Sequence, residues 1–211
     1  MKELILLVFI LLPSLIFAQI ENNVYKLSEN EMISQSVKDI LSKNIKDKQF
    51  VLLGESFHKS GADLRKKTDF VKYLVKEHKF ENIIFESDFF ALYNKHDKNN
   101  LYGVWSQAKQ CQELFTFLDN QAITIWGIDN KLHSSYSKKE FPQALSNFLD
   151  EQKIDFTKRY ISIVDSILKF EFNLNDLMEK EDLQYFDEET NRILSYPKLS
   201  EREFWHQAIK N

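Results

Sequence analysis

The sequence predicts an α/β fold, with a parallel sheet and flanking helices followed by a helical insertion. Three short apolar segments are each followed by a polar loop, and helical segments separate them. These segments are continuously apolar rather than alternating, which is typical of parallel strands buried on both faces. From residue 139 onward the pattern is helical, without a fourth strand. Because sheets average about five or six strands, three strands predict half of a full sheet.

The first eighteen residues are predicted to be a signal peptide. Lys2 precedes the uncharged run Leu4–Ala18. This run is shorter than the roughly twenty residues of a bilayer-spanning helix, and Pro13 interrupts it. A positive start, a short apolar run and a small residue at its end are typical of secretory signals. We expect cleavage before Gln19, export to a bacterial periplasm or medium, and no membrane association afterwards. An uncleaved anchor is the alternative.

Each remaining element follows from its local pattern. Apolar runs predict strands over 50–53, 82–85 and 122–126. Apolar residues at helical spacing predict helices over 33–41, 64–78, 108–118 and 160–168, with further helical stretches over 174–178, 188–194 and 201–211. The predicted organisation is therefore a signal peptide over 1–18, an α/β core over 19–138 and a helical segment over 139–211.

The composition excludes several classes of protein. Lys plus Arg number 28 against 32 Asp plus Glu, which gives a formal net charge of −4. Without a basic block, the chain is not expected to bind nucleic acid, which requires clustered cations. The single cysteine, Cys111, cannot form an intramolecular disulfide, and its place on an apolar helix face predicts a core residue. Nothing in the sequence indicates an oligomeric state.

Candidate site residues follow the predicted strands. Ligands of open parallel sheets bind outside the carboxyl ends of the strands. Glu55 and His58 follow the first strand, Glu86 follows the second and Asp129 follows the third. A histidine titrates near neutral pH, so it can take a proton from water, and a carboxylate can fix its tautomer and stabilise the imidazolium. Three of the four glycines flank these strand ends, where backbone strain or a close approach to a ligand would require glycine: Gly54, Gly61 and Gly127.

Residues 51–90 resemble the N-terminal half of the erythromycin esterase family. The resemblance rests on a Gly-Glu-x-x-His loop at 54–58, a basic residue at Lys67 and a strand that leads to Glu86. Trp105 and the segment 126–129 extend it to about residues 45–135. It implies an α/β core with a helical insertion and hydrolysis of a small-molecule ester or lactone. His58 would be the general base on water, Glu55 and Glu86 would orient that water, and Lys67 and Asp129 would bind substrate.

The chain also departs from the family pattern. Lys59 stands where a glycine usually follows the histidine, and Lys67 stands where an arginine is usual. Lysine cannot make the bidentate contact of arginine, so this replacement is not equivalent. Family members are about twice as long, and neither His133 nor His206 matches their second functional histidine by context. We therefore expect a fragment that expresses poorly and has little or no esterase activity until a downstream half is added.

Two other functions fit the same residues. Glu55, His58, Glu86 and Asp129 could together bind a divalent metal, since carboxylates and imidazole are suitable ligands for magnesium, manganese or zinc. That arrangement would make the protein a metal-dependent hydrolase or a metal-binding protein, whereas the esterase hypothesis requires no cofactor. The other alternative is a periplasmic binding module without catalysis.

Overall fold

The structure is a computed structural model that describes residues 33–54, 57, 60–169 and 178–210. The signal peptide prediction, Glu55 and His58 lie outside the described residues. The chain forms two compact units, 1–55 and 56–211, each defined by the contacts within it.

The first unit contains one described helix, α1 (Gln35–Ile45), which confirms the helix predicted from its apolar spacing. Residues 50–54 form no strand, and the side chains of Phe50 and Leu52 are 74% and 94% exposed. The predicted first strand is therefore not confirmed, and neither is a sheet of three strands. A strand is held by hydrogen bonds to a neighbouring strand, so an apolar run does not form one by itself.

The second unit contains the other elements. Their bounds are α2 (Gly61–His78), β1 (Asn82–Asp88), α3 (Phe89–Lys95), α4 (Gly103–Ser106), α5 (Gln112–Leu118), β2 (Thr124–Asp129), α6 (Ser135–Gln152), α7 (Lys158–Lys169), α8 (Lys180–Leu194), α9 (Pro197–Ser200) and α10 (Glu203–Lys210). Short 3-10 turns lie at Lys98–Asn100 and Lys109–Cys111.

The two strands β1 and β2 are parallel neighbours, as predicted for the second and third apolar segments. Asn82 pairs with Thr124 and Phe85 with Gly127, whereas Asp88 pairs with Asp129. One extra residue therefore lies on β1 between the last two pairs. Such a bulge bends a strand and changes the direction of its side chains. Residues 86–88 belong to β1 beyond this point, although the sequence predicted that the strand would end at Phe85.

Two hydrophobic clusters stabilise the second unit. The sheet cluster packs α2, α5 and the loop around α4 against the strands and includes Leu64, Phe85, Trp105, Cys111, Phe115 and Ile125. Cys111 is 2% exposed, which confirms it as a core residue. The helical cluster packs α3, α6, α7, α8 and α10 together and includes Phe90, Phe141, Leu149, Tyr160, Ile193 and Ile209. Burial of these side chains contributes about 1.5–3 kcal/mol each.

The predicted helical region is confirmed where it is described. Helices α7, α8 and α10 cover most of it, and the stretch 174–177 lies outside the described residues. Helix α6 runs through positions 138 and 139, so the predicted boundary there is not marked by a break in the helix. Among the described residues, no helix has the length and apolar character needed to cross a bilayer.

Candidate functional site at the carboxyl edge of the sheet

Asp88 ends β1 and is fully buried. Its Oδ1 accepts hydrogen bonds from Ala91 N at 3.0 Å and from Ser137 Oγ at 2.8 Å. Its Oδ2 accepts from Ser134 N at 2.9 Å and lies 3.7 Å from His133 Nδ1. Three hydrogen bonds offset the free-energy cost of burying the carboxylate. Asp88 therefore fixes the start of α3 and the start of α6 at one point, beside the imidazole of His133.

Tyr102 lies over the same edge and connects it to the end of β2. Its hydroxyl donates to Asp129 Oδ2 at 2.6 Å, and its ring centroid lies 3.7 Å from that of His133. Burial raises the pKa of the Tyr102 hydroxyl far above its ordinary value, and the hydrogen bond to Asp129 adds to the rise. The negative charges of Asp88 and Glu86 raise this pKa further. Three carboxylates therefore act on one hydroxyl, which stays protonated as a hydrogen-bond donor.

Lys67 lies at this edge, with its ammonium group against an aromatic ring. Its Nζ lies 5.2 Å from the centroid of the Trp105 ring, a cation–π distance. Trp105 Nε1 in turn donates to the carbonyl oxygen of Glu86 at 3.2 Å. The hydroxyl of Ser87 accepts from Tyr102 N at 2.8 Å, which holds the loop containing both aromatic residues against β1. The side chain of Glu86 is exposed at the same strand end.

Gly127 allows the two strands to approach at this point. A Cβ atom at this position would lie 2.6 Å from the carbonyl oxygens of Ser87 and Asp88. Backbone atoms cannot yield to such a contact as a flexible side chain would. The sequence predicted backbone strain or a close approach to a ligand at Gly127, whereas the group that approaches it in the structure is the backbone of β1.

Three of the five site residues predicted from the sequence are described, and all three lie around the strand ends. Glu86 and Asp129 both raise the pKa of Tyr102. The ammonium group of Lys67 contacts the ring of Trp105, which bonds the backbone of Glu86. The other two, Glu55 and His58, lie outside the described residues. No family model, curated protein or solved structure matches this chain. The resemblance to erythromycin esterases therefore stays a prediction.

Asp88, Tyr102 and His133 were not among the site residues predicted from the sequence, where His133 did not match the second histidine of the family. A signal for Asp88 was present, because an aspartate directly before an apolar helical segment is typical of a helix N-cap. His133 directly precedes Ser134, which caps α6 through Ser137 N at 3.0 Å. Tyr102 gave no signal, since an aromatic residue in a connecting loop is usually a packing residue.

The arrangement provides acid–base groups and a cation at one edge. His133 beside the Asp88 carboxylate has the elements of a general base whose imidazolium is stabilised by a buried charge. Among the described residues, no three His, Cys, Asp or Glu side chains come together as a metal-binding group. Glu55 and His58 lie outside the described residues, so the metal-binding alternative also stays a prediction.

Proposed function

We propose that this protein hydrolyses an ester or lactone bond of a small molecule at the carboxyl edge of the sheet, with water activated by histidine. The observation that carries the proposal is the distance of 3.7 Å between His133 Nδ1 and the buried Asp88 carboxylate. A base that removes a proton from water becomes positively charged, and a nearby carboxylate stabilises that charge.

The other roles rest on the sequence resemblance and on position. His58 is proposed as a second acid–base histidine, with Glu55 and Glu86 orienting the water. Lys67 is proposed to stabilise the negative charge that develops on the substrate oxygen as the water attacks. Electrostatic stabilisation of such charge is often the largest single contribution to catalysis. Asp129 is proposed to bind a polar group of the substrate, since it is partly exposed beside Tyr102.

The test is hydrolysis of a p-nitrophenyl ester and of a macrocyclic lactone by the purified 211-residue chain and by any in-frame extension of it. We expect His58→Ala and His133→Ala each to lower kcat/KM by about a hundredfold or more, as is usual for loss of an acid–base group. Circular dichroism and thermal unfolding establish that each variant is folded.

His78→Ala is the matched control, because His78 ends α2 shortly before β1 begins and therefore lies towards the opposite end of that strand from Asp88. We expect this variant to retain wild-type activity. Equal rates in all three histidine variants, or no hydrolysis above background by any form of the chain, would contradict the proposal. Activity that is lost with a chelator and restored by magnesium, manganese or zinc would instead favour the metal-dependent alternative.

Export is proposed on the sequence of residues 1–18 alone. N-terminal sequencing of protein from a bacterial periplasm or medium should begin at Gln19. Recovery of the whole chain in the cytoplasm, with Met1 intact, would contradict the export proposal but leave the proposed hydrolysis untouched.

A further inference from the structure

A concave site lies between α3, α6 and α10. Its volume is about 430 Å³, within the range of about 300–1,000 Å³ that is usual for small-molecule sites. Its polar end is formed on α6 by Gln143 and Asn147. Asn147 is twelve residues beyond the first residue of α6, so it lies about 18 Å along the helix from that start. Phe90 and Tyr136 also line the cleft, so one end of it lies beside the strand-end site at the beginning of α6, and Asn147 lies at the other end.

Aromatic rings form the walls of this cleft. Tyr93 and Phe204 lie with their ring centroids 4.4 Å apart, and Trp205 stacks on Phe148 at 4.6 Å. Tyr93 is 53% exposed although it belongs to this aromatic group. Packed rings of this kind give a ligand flat apolar faces, and their positions are fixed by their neighbours.

Three uncharged polar side chains of the cleft are amides, and each can form further hydrogen bonds. Gln143 Nε2 donates to Asn147 Oδ1 at 2.8 Å, which leaves the Gln143 carbonyl as an acceptor and the Asn147 amino group as a donor. Asn94 Nδ2 donates to Phe90 O at 2.7 Å, and its own carbonyl is an acceptor. Donors and acceptors in this combination match hydroxyl groups, which both donate and accept.

The charges around the cleft nearly balance, which argues against a charged ligand. Glu140 and Glu203 line it together with Arg202. Lys139 Nζ lies 2.8 Å from Glu140 Oε1, and Lys95 Nζ lies 5.4 Å from the centroid of a lining tyrosine ring. Glu140 is already paired with Lys139, so an ammonium ligand would compete with that lysine, and a wholly apolar ligand would take from the amides their hydrogen bonds to water.

We propose that this cleft binds a neutral polyhydroxylated molecule of mono- or disaccharide size, whose C–H face stacks on Tyr93 and Trp205 and whose hydroxyls bond Gln143 and Asn147. The apolar face of a sugar ring covers an aromatic side chain, while its equatorial hydroxyls exchange hydrogen bonds with planar amides.

The test uses methyl β-D-glucopyranoside, maltose and cellobiose as probes, titrated into the full chain. Binding is followed by saturation-transfer NMR and by tryptophan fluorescence. We expect saturable binding of at least one probe with a Kd on the order of 1 mM or tighter. Asn147→Ala and Tyr93→Ala should each weaken it by about three- to tenfold, as expected for the loss of one hydrogen-bonding or stacking group.

Gln184→Ala is the matched control, since Gln184 donates to Glu188 at 2.8 Å in the same i,i+4 arrangement on α8. It should leave the Kd unchanged, and thermal unfolding should show that all variants are folded at the temperature of the titration. Absence of saturable binding by all three sugars would overturn the proposal. So would binding that is insensitive to Asn147→Ala and Tyr93→Ala, or binding of tetramethylammonium or an anilinonaphthalene dye at the cleft in place of the sugars.

Discussion

The two strands of the sheet both end in aspartate, and the two residues are paired in register, yet their surroundings differ. Asp88 is completely buried and accepts three hydrogen bonds from the starts of two helices. Asp129 is partly exposed and accepts from the Tyr102 hydroxyl and from Lys131 N. The Asp88 carboxylate therefore holds the two helix starts at the edge of the sheet, whereas the Asp129 carboxylate is accessible to a ligand.

The largest effect is expected for Asp88→Ala. It leaves the N–H groups of Ala91 and Ser134 and the hydroxyl of Ser137 without their acceptor in a buried place. We expect a loss of about 3–5 kcal/mol in the free energy of unfolding, measured by urea denaturation. Asp129→Ala should lose about 1 kcal/mol, because its partners can bond to water. Equal losses in the two variants would remove the distinction between the two strand ends.

Gly127→Ala should follow in size, at about 1–3 kcal/mol, because the added Cβ is forced against two backbone carbonyls of β1. Gly103→Ala is the control, since a Cβ there would meet only the side chain of Gln107 at 3.4 Å. Thermal and urea unfolding measure both variants. If Gly127→Ala were as stable as Gly103→Ala, the close approach of the strands at this point would not be required.

Tyr102→Phe tests the end of β2. It removes the hydrogen bond to Asp129 and keeps the ring against His133, so we expect a loss of about 1 kcal/mol. His133→Leu would then test how much the contact between the rings of Tyr102 and His133 contributes to the free energy of unfolding. A loss in Tyr102→Phe as large as that in Asp88→Ala would mean that the partly exposed strand end is as important for stability as the buried one.

The smallest effect concerns alkaline pH. Since folding raises the pKa of Tyr102 above its unfolded value of 10.0, the folded state keeps a proton that the unfolded state loses. This contribution to stability is complete below about pH 10 and declines as the pH rises further. The free energy of unfolding should therefore fall less steeply above pH 10 in Tyr102→Phe than in the wild type. Tyr160, whose pKa is also raised by burial, is present in both proteins and cancels in the comparison. Parallel slopes would contradict the prediction.

The sequence was sufficient to locate the two described strands and most helices, because their apolar spacing reflects burial. It placed the end of β1 too early, since Glu86 and Asp88 are polar but belong to the strand, which continues through a bulge between the pairs Phe85–Gly127 and Asp88–Asp129. It also predicted a strand over 50–53, where the pattern alone could not show whether a partner strand is available.

For the candidate site, the sequence found the carboxylates at strand ends but not the contacts between them. Asp129 and Tyr102 are 27 positions apart, and Asp88 and Ser134 are 46 positions apart. Such contacts depend on how the elements pack, and no local spacing indicates them. The burial of Asp88 likewise comes from packing, so the sequence could not separate this structural carboxylate from the more accessible Asp129.

The sharing of Asp88 between two helix starts also affects how the protein opens. Ala91 N in α3 and Ser134 N at the start of α6 bond to the two oxygens of one carboxylate. Rotation of that side chain releases both amides at once, although they are 43 residues apart (134 − 91). In native-state hydrogen exchange the two helix starts should therefore behave as one cooperative unit, with the same opening free energy and the same sensitivity to denaturant.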